Sequence, residues 1–195
     1  MPKIVDHAQR RTEIIHALWA VIYERGIHAV TYQAVARAAG VSVGRIQHYF
    51  SSKQELVHAG CRAIVETAAD AHQERTGSLA PMEALAELLT ASIPRSETFR
   101  LGMAVWYAYL AQATADPRIE EIIGDASRGT LERAASLLRS AGAPAREAPR
   151  LVALSNGLAQ CVLTGALCAD RAAEIIRGEV SSLRAAEDRP AADAR

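Results

Sequence analysis

Residues 31 to 53, TYQAVARAAGVSVGRIQHYFSSK, constrain the fold more tightly than any other stretch of the chain. Thr31 is a good N-cap for a helix whose inward residues Val35, Ala36 and Ala39 fall at helical spacing, so a helix is expected from about 32 to 39. Gly40 suits the left-handed conformation that ends a helix, Val41 plugs the corner, and Ser42 caps the next helix. Two short helices joined by a turn of about three residues form a helix-turn-helix. If Ile46 and Phe50 face inward, a rotation of about 100° per residue points Gly44 and His48 outward, flanked by Arg45 and Gln47.

That edge carries major-groove chemistry. Arginine can chelate guanine, glutamine can pair with adenine, and Gly44 lets the helix backbone approach the sugar-phosphate closely. Lys53 opens the following helix, where its ammonium and the free amides of a helix N-terminus near Ser51 or Ser52 can hold a phosphate. A plain helical hairpin with a solvated polar face is the alternative for an isolated Gly-Val-Ser corner, and the flanking residues weigh against it.

Those flanks comprise an amphipathic first helix with Ile14, Ile15, Leu18 and Ile22, then Glu24-Arg25-Gly26, the Thr31 cap and Val35-Ala36. Ala39-Gly40-Val41-Ser42, Gly44, Ile46, Tyr49-Phe50 and Ser52-Lys53 complete the set. On these residues the run from Arg11 to Gly60 resembles the N-terminal domain of the tetracycline-repressor (TetR) family. It departs from that pattern at Gln47, where the family usually carries a tyrosine. By carry-over at matching positions the resemblance implies DNA contacts at Thr31, Tyr32, Gln33, Val43, Gly44, Arg45, Gln47, His48, Tyr49 and Lys53, with Ser42 at the helix cap beside them.

Charge agrees once it is divided. The chain has 22 basic and 22 acidic residues, a balance that argues against a general nucleic-acid binder. Residues 1 to 60, however, carry seven Lys or Arg against four Asp or Glu, and five of the six histidines, so a modestly basic head precedes a slightly acidic body. A few phosphate contacts per head give weak, salt-sensitive binding, which points to a dimer reading two half-sites.

Abundant alanine and scarce β-branched runs favour an all-α fold. After the reader a fourth helix is expected from near Ser52 to about Arg75, and Pro81 opens a fifth that Pro94 ends. Ser96 caps a sixth; Asp116-Pro117 starts a seventh that reaches Leu138 and stops at Gly142. Pro144 and Pro149 bracket the start of an eighth, and Asp170 is expected to cap the ninth. The organisation expected is a helix-turn-helix domain over 8–67 with its reading motif at 31–50, a six-helix ligand-binding and dimerisation bundle over 68–186, and a disordered tail over 187–195.

Trp106-Tyr107-Ala108, Asp116-Pro117-Arg118 and Ala153-Leu154-Ser155-Asn156-Gly157-Leu158 resemble the C-terminal half of the BetI-like subgroup of that family. The resemblance implies a homodimer packed through the last two long helices and a cavity for a small-molecule effector. Small residues at Ala153, Gly157, Ala159, Gly165, Ala166 and Ala169 suit close helix contact between subunits, or equally a tight pair within one chain. For the cavity the candidates are Phe99, Met103, Trp106, Tyr107 and Tyr109, since Tyr and Trp offer apolar surface with a polar handle; ordinary core filling is the alternative.

Other chemistry finds no motif. There is no phosphate loop, dinucleotide fingerprint, G-x-S-x-G or H-E-x-x-H, so neither an enzyme nor a cofactor is expected. The histidines form no i,i+4 pair, and Cys61, Cys161 and Cys168 have no metal spacing; Cys161 and Cys168 are read as seven apart on one helix. No stretch of about 18 apolar residues is present, which with the odd cysteine count suggests a cytoplasmic protein. The function these features imply is a repressor released from a palindromic double-stranded DNA operator by a small molecule. An activator or ligand-independent DNA-binding regulator is the alternative, followed by a helical enzyme or sequestering protein on the same fold.

Overall fold

The computed structural model describes residues 3–187, and among them nine α-helices and two short 3-10 turns account for all regular structure. The helices are α1 (Lys3–Arg25), α2 (Tyr32–Ala39), α3 (Val43–Tyr49), α4 (Lys53–Thr76), α5 (Pro81–Thr90), α6 (Glu97–Gln112), α7 (Pro117–Ser140), α8 (Ala148–Leu163) and α9 (Ala169–Glu187). The all-α expectation holds. The tail expected to be disordered falls, from 188 onward, outside the described residues.

Local chemistry explains most helix ends. The Thr31 hydroxyl oxygen accepts the Ala34 amide at 3.1 Å and the Ser42 oxygen accepts the Arg45 amide at 3.2 Å. Between them Gly40 takes φ +65°, which a β-carbon would strain. Asp116 caps α7 by accepting from the amides of Arg118 and Ile119, with Pro117 in the first position, and Gly142 ends the segment at φ +80°.

Three expected boundaries move. Helix α5 stops at Thr90, short of Pro94, whose ring would clash with the Thr90 carbonyl in a continued helix; the chain turns there instead, with the Ile93 amide donating to the Thr90 carbonyl at 3.1 Å. Asp170 lies inside the first turn of α9, which begins at Ala169, so it complements the helix dipole and is not the cap. Cys161 and Cys168 do not share a helix: α8 ends at Leu163, Gly165 turns the chain at φ +78°, and Cys168 immediately precedes α9.

The chain forms two compact units. Among the described residues, one takes 3–68 together with Leu101–Gly124; the other takes Ala69–Arg100 and 125–187. The body expected over 68–186 includes all of α6 and α7, whereas Leu101–Gly124, most of α6 and the start of α7, clusters with residues of the helix-turn-helix. The cause lies in their side chains: Val105, Tyr109, Ile119 and Ile123 belong to the same buried core as Ile14, Leu18, Ile22, Val35, Ile46, Phe50 and Leu56.

The second unit is built on α5, α8 and α9 packing together, with the rest of α7. Leu85, Leu89, Ile93, Leu138, Leu151 and Ile176 are each almost fully buried there. Three polar side chains are buried there, and each is satisfied: the Thr76 hydroxyl donates to the His72 carbonyl at 2.9 Å, the Thr90 hydroxyl to the Ala86 carbonyl at 2.8 Å, and the Ser155 hydroxyl to the Leu89 carbonyl at 2.6 Å, with the Ser92 hydroxyl 2.8 Å from it. At its edge the Arg150 guanidinium bridges Glu147 and Glu179, at 2.8 and 2.7 Å.

Candidate nucleic-acid interface

Helix α3 has two faces with different chemistry. Ile46 and Phe50 are fully buried and anchor it to the core, while Gly44, Arg45, Gln47 and His48 are exposed in a row on the opposite side. Nothing lies within 4 Å of where a Gly44 β-carbon would stand, so that side of the helix is open to a close partner. Gln33 on α2 and Lys53 at the start of α4 are exposed as well, and Val43 is half-buried.

Some candidate contacts are committed to holding the reader together. Thr31 and Ser42 spend their hydroxyl oxygens on caps. The Tyr32 hydroxyl donates to the Phe50 carbonyl at 3.1 Å, a tie between the start of α2 and the end of α3. Tyr49 is half-buried, and its ring lies 4.6 Å from that of His7. The edge that remains exposed is Gly44, Arg45, Gln47 and His48.

The phosphate site expected at the start of α4 is partly filled from within. Ser52 caps the Glu55 amide at 3.0 Å, and the Glu55 carboxylate accepts from both the Ser51 amide, at 2.7 Å, and the Ser51 hydroxyl, at 2.6 Å. These Ser51 bonds, hydroxyl before amide, hold the Glu55 carboxyl below its ordinary range. An anion arriving there meets Lys53 but also a carboxylate.

Sequence reasoning missed α1's contribution. The Arg11 guanidinium donates to the Tyr49 carbonyl at 2.9 Å, lies 4.3 Å from the Phe50 ring centroid and sits 4.0 Å from the Glu55 carboxylate, so one side chain pins the end of α3. The signal was legible: His7, Arg11, Ile14 and Leu18 continue one helical face upstream of the apolar stripe.

Two family models match the chain. Residues 14–59 match bacterial regulatory proteins of the tetR family, and residues 81–185 match the C-terminal region of BetI-type transcriptional repressors. The chain belongs to the TetR family. Among TetR-family relatives it is 32% identical to the HTH-type transcriptional regulator PksA of Bacillus subtilis, over 82% of this chain and 81% of that one. It is 31% identical to the HTH-type transcriptional regulator BetI of Escherichia coli O139:H28, over 86% and 84% of the two chains. A transcriptional regulator from Saccharomonospora viridis, solved in complex with choline, superposes with a TM-score of 0.78 at 27% identity, covering 90% of this chain and 95% of that one.

Within this TetR-family chain the aromatic candidates divide. Tyr109 is fully buried; its hydroxyl donates to the Val57 carbonyl at 3.1 Å, and burial pushes its ionisation far up. It shares the inward stripe of α6 with Val105, so for Tyr109 the core-filling alternative fits. Phe99, Met103, Trp106 and Leu110 make a second stripe on α6; Phe99 is 45% and Leu110 41% exposed, and Met103 and Trp106 are half-buried, as is Tyr107. The structure thus keeps four candidates at least partly accessible and removes Tyr109 to the interior.

Two titratable groups mark how the reader's unit is held. The His58 imidazole and the Asp116 carboxylate meet at 2.8 Å, joining α4 to the start of α7. Burial pulls the Asp116 carboxyl up, but the His58 hydrogen bond and the amides of Ile119 and Arg118 outweigh it and leave the group below its ordinary value. Cys61 is buried and its thiol is pushed up to about 12, which makes it inert as a nucleophile; Cys161 and Cys168 are exposed. Among the described residues no group of three His, Cys, Asp or Glu is placed to hold a metal, and no helix is long and apolar enough to cross a membrane.

Proposed function

We propose that the chain is a cytoplasmic homodimeric repressor whose two reading heads hold a palindromic double-stranded DNA operator until a small-molecule effector releases them. The observation that carries this is the exposed row Gly44, Arg45, Gln47 and His48 over the buried Ile46 and Phe50. Thr31, Tyr32, Gln33, Ser42, Val43, Tyr49 and Lys53 frame that row.

For dimerisation the support is on α8. Ala153 and Gly157, four apart, are exposed, and nothing lies within 4 Å of where a Gly157 β-carbon would stand, so a second subunit's helix can approach closely. Gly157→Arg is therefore expected to leave a monomer in light-scattering chromatography and to abolish operator binding.

For the effector we propose a small organic cation of the choline class, bound by Met103, Trp106 and Tyr107. Support comes from the choline complex of the Saccharomonospora viridis regulator and from the partly exposed aromatic stripe of α6, whose ring faces attract a quaternary ammonium. Release needs a coupling of only about 1.4–2.7 kcal/mol to weaken the operator tenfold to a hundredfold. The test is a duplex selection followed by binding titrations with and without choline. An inverted repeat whose affinity falls as choline is added is the expected result. A site insensitive to choline, with an unshifted melting temperature, would overturn this effector class.

A further inference from the structure

We propose that the DNA interface extends onto α1, where Arg10 holds a backbone phosphate at the mouth of the groove it shares with α3, and His7 packs behind the reading edge. This rests on the reading above that α3 enters DNA. The groove, about 420 Å³, is lined by Arg10, Ser42, Arg45, His48 and Tyr49, so it draws two guanidiniums and an imidazole from different helices around one polar concavity. A phosphodiester is the ligand that suits such a set, because guanidinium donors match its two free oxygens.

Three observations place α1 in the interface. Arg11 bonds the Tyr49 carbonyl, which fixes this turn of α1 against the end of α3. His7 lies 4.6 Å from the Tyr49 ring and edge-on to the His48 ring at 6.2 Å, and Tyr49 and His48 stand edge-on at 5.3 Å, so the three rings form one cluster of edge-on and tilted contacts around His48. The start of α4, the obvious rival for a phosphate, has its Ser51 amide already taken by the Glu55 carboxylate.

His7 and Arg10 precede residue 14, where the match to the family's DNA-binding model begins. Arg10 bonds Glu13 at 2.7 Å, with both side chains 44% exposed. An exposed pair of that kind is weak and yields readily to a phosphate. It also supplies a test of opposite sign, because removing the Glu13 charge favours the anion.

The experiment is fluorescence anisotropy on the selected operator and on a scrambled duplex across a potassium chloride series, using the full chain and its Arg10→Ala, Arg10→Lys and Glu13→Gln variants. Arg10→Ala is expected to weaken both duplexes about tenfold and to lower the salt slope by about one per protomer. Arg10→Lys is expected to keep the slope, and Glu13→Gln to tighten binding. An operator bound as before by Arg10→Ala, or bound more weakly with the slope unchanged, overturns the phosphate contact and leaves the reading of α3 standing. Wild-type protein that selects no duplex overturns both.

Discussion

Gly60 sits where α1, α4 and α6 meet, and replacing it with alanine tests that junction. A β-carbon there would lie 2.5 Å from Cδ2 of Leu18 and 2.6 Å from the hydroxyl oxygen of Tyr109, both fully buried side chains. The Gly60 carbonyl also accepts from the Trp19 indole at 3.1 Å, so the backbone has little freedom to withdraw. Alanine gains up to about 1 kcal/mol of helix propensity over glycine. Against that stand an overpacking cost of about 1–3 kcal/mol and about 1 kcal/mol for the Tyr109 bond to Val57 if its hydroxyl is displaced. The net is a loss of about 1–3 kcal/mol, or a fall in Tm of roughly 4–8 °C at mid-range for a chain of this size. Circular dichroism melts of the single variants and of Gly60→Ala with Tyr109→Phe complete the cycle; removing the hydroxyl oxygen is expected to relieve part of the clash, with a coupling of about 0.5–1 kcal/mol. A Tm at or above wild type for Gly60→Ala, or an equal cost in both backgrounds, would refute the packing described.

Three further outcomes follow from named contacts. Arg11→Ala loses a charged hydrogen bond, a ring contact and a long ion pair, all partly exposed, so a loss of about 1–2 kcal/mol and a larger fall in cognate than in random-duplex affinity are expected from melts and anisotropy. Asp116→Asn keeps the cap of α7 but not the charge; because the folded carboxyl titrates below its ordinary 3.8, the wild-type advantage is present above that value and closes as pH falls through the lower folded one, which melts from pH 6 to pH 3 (about half-unit steps) would show. His72 is held below 6.5 by burial, then by Arg133 and Arg75, and neither ring nitrogen has a hydrogen-bond partner, so His72→Leu is expected to raise Tm and to remove a loss of stability that in wild type sets in as pH falls below about 6.5.

What was legible in the sequence was whatever a short stretch determines. Thr31, Ser42 and Asp116-Pro117 mark helix starts because a side-chain oxygen must satisfy free amides a few residues on, and Gly40 marks a stop because φ +65° excludes most residues. The exposure of Gly44, Arg45, Gln47 and His48 followed from helical rotation about the buried Ile46 and Phe50. What needed long-range packing was not legible. The place of Leu101–Gly124 depends on Tyr109 and Val105 reaching the core of α1 and α4 past Gly60, a residue with no local signal of its role. The same holds for Glu55, which turns back onto Ser51 and changes the chemistry expected beside Lys53.

The central claim is that α3 reads bases through Arg45 while Lys53 only holds the backbone. Selection on random duplexes, repeated with Arg45→Ala and Lys53→Ala, tests it most directly. The account predicts an inverted repeat for wild type, relaxed preference at one position of each half-site for Arg45→Ala, and an unchanged motif with uniformly weaker, less salt-dependent binding for Lys53→Ala. The same motif at the same strength from wild type and Arg45→Ala would contradict it.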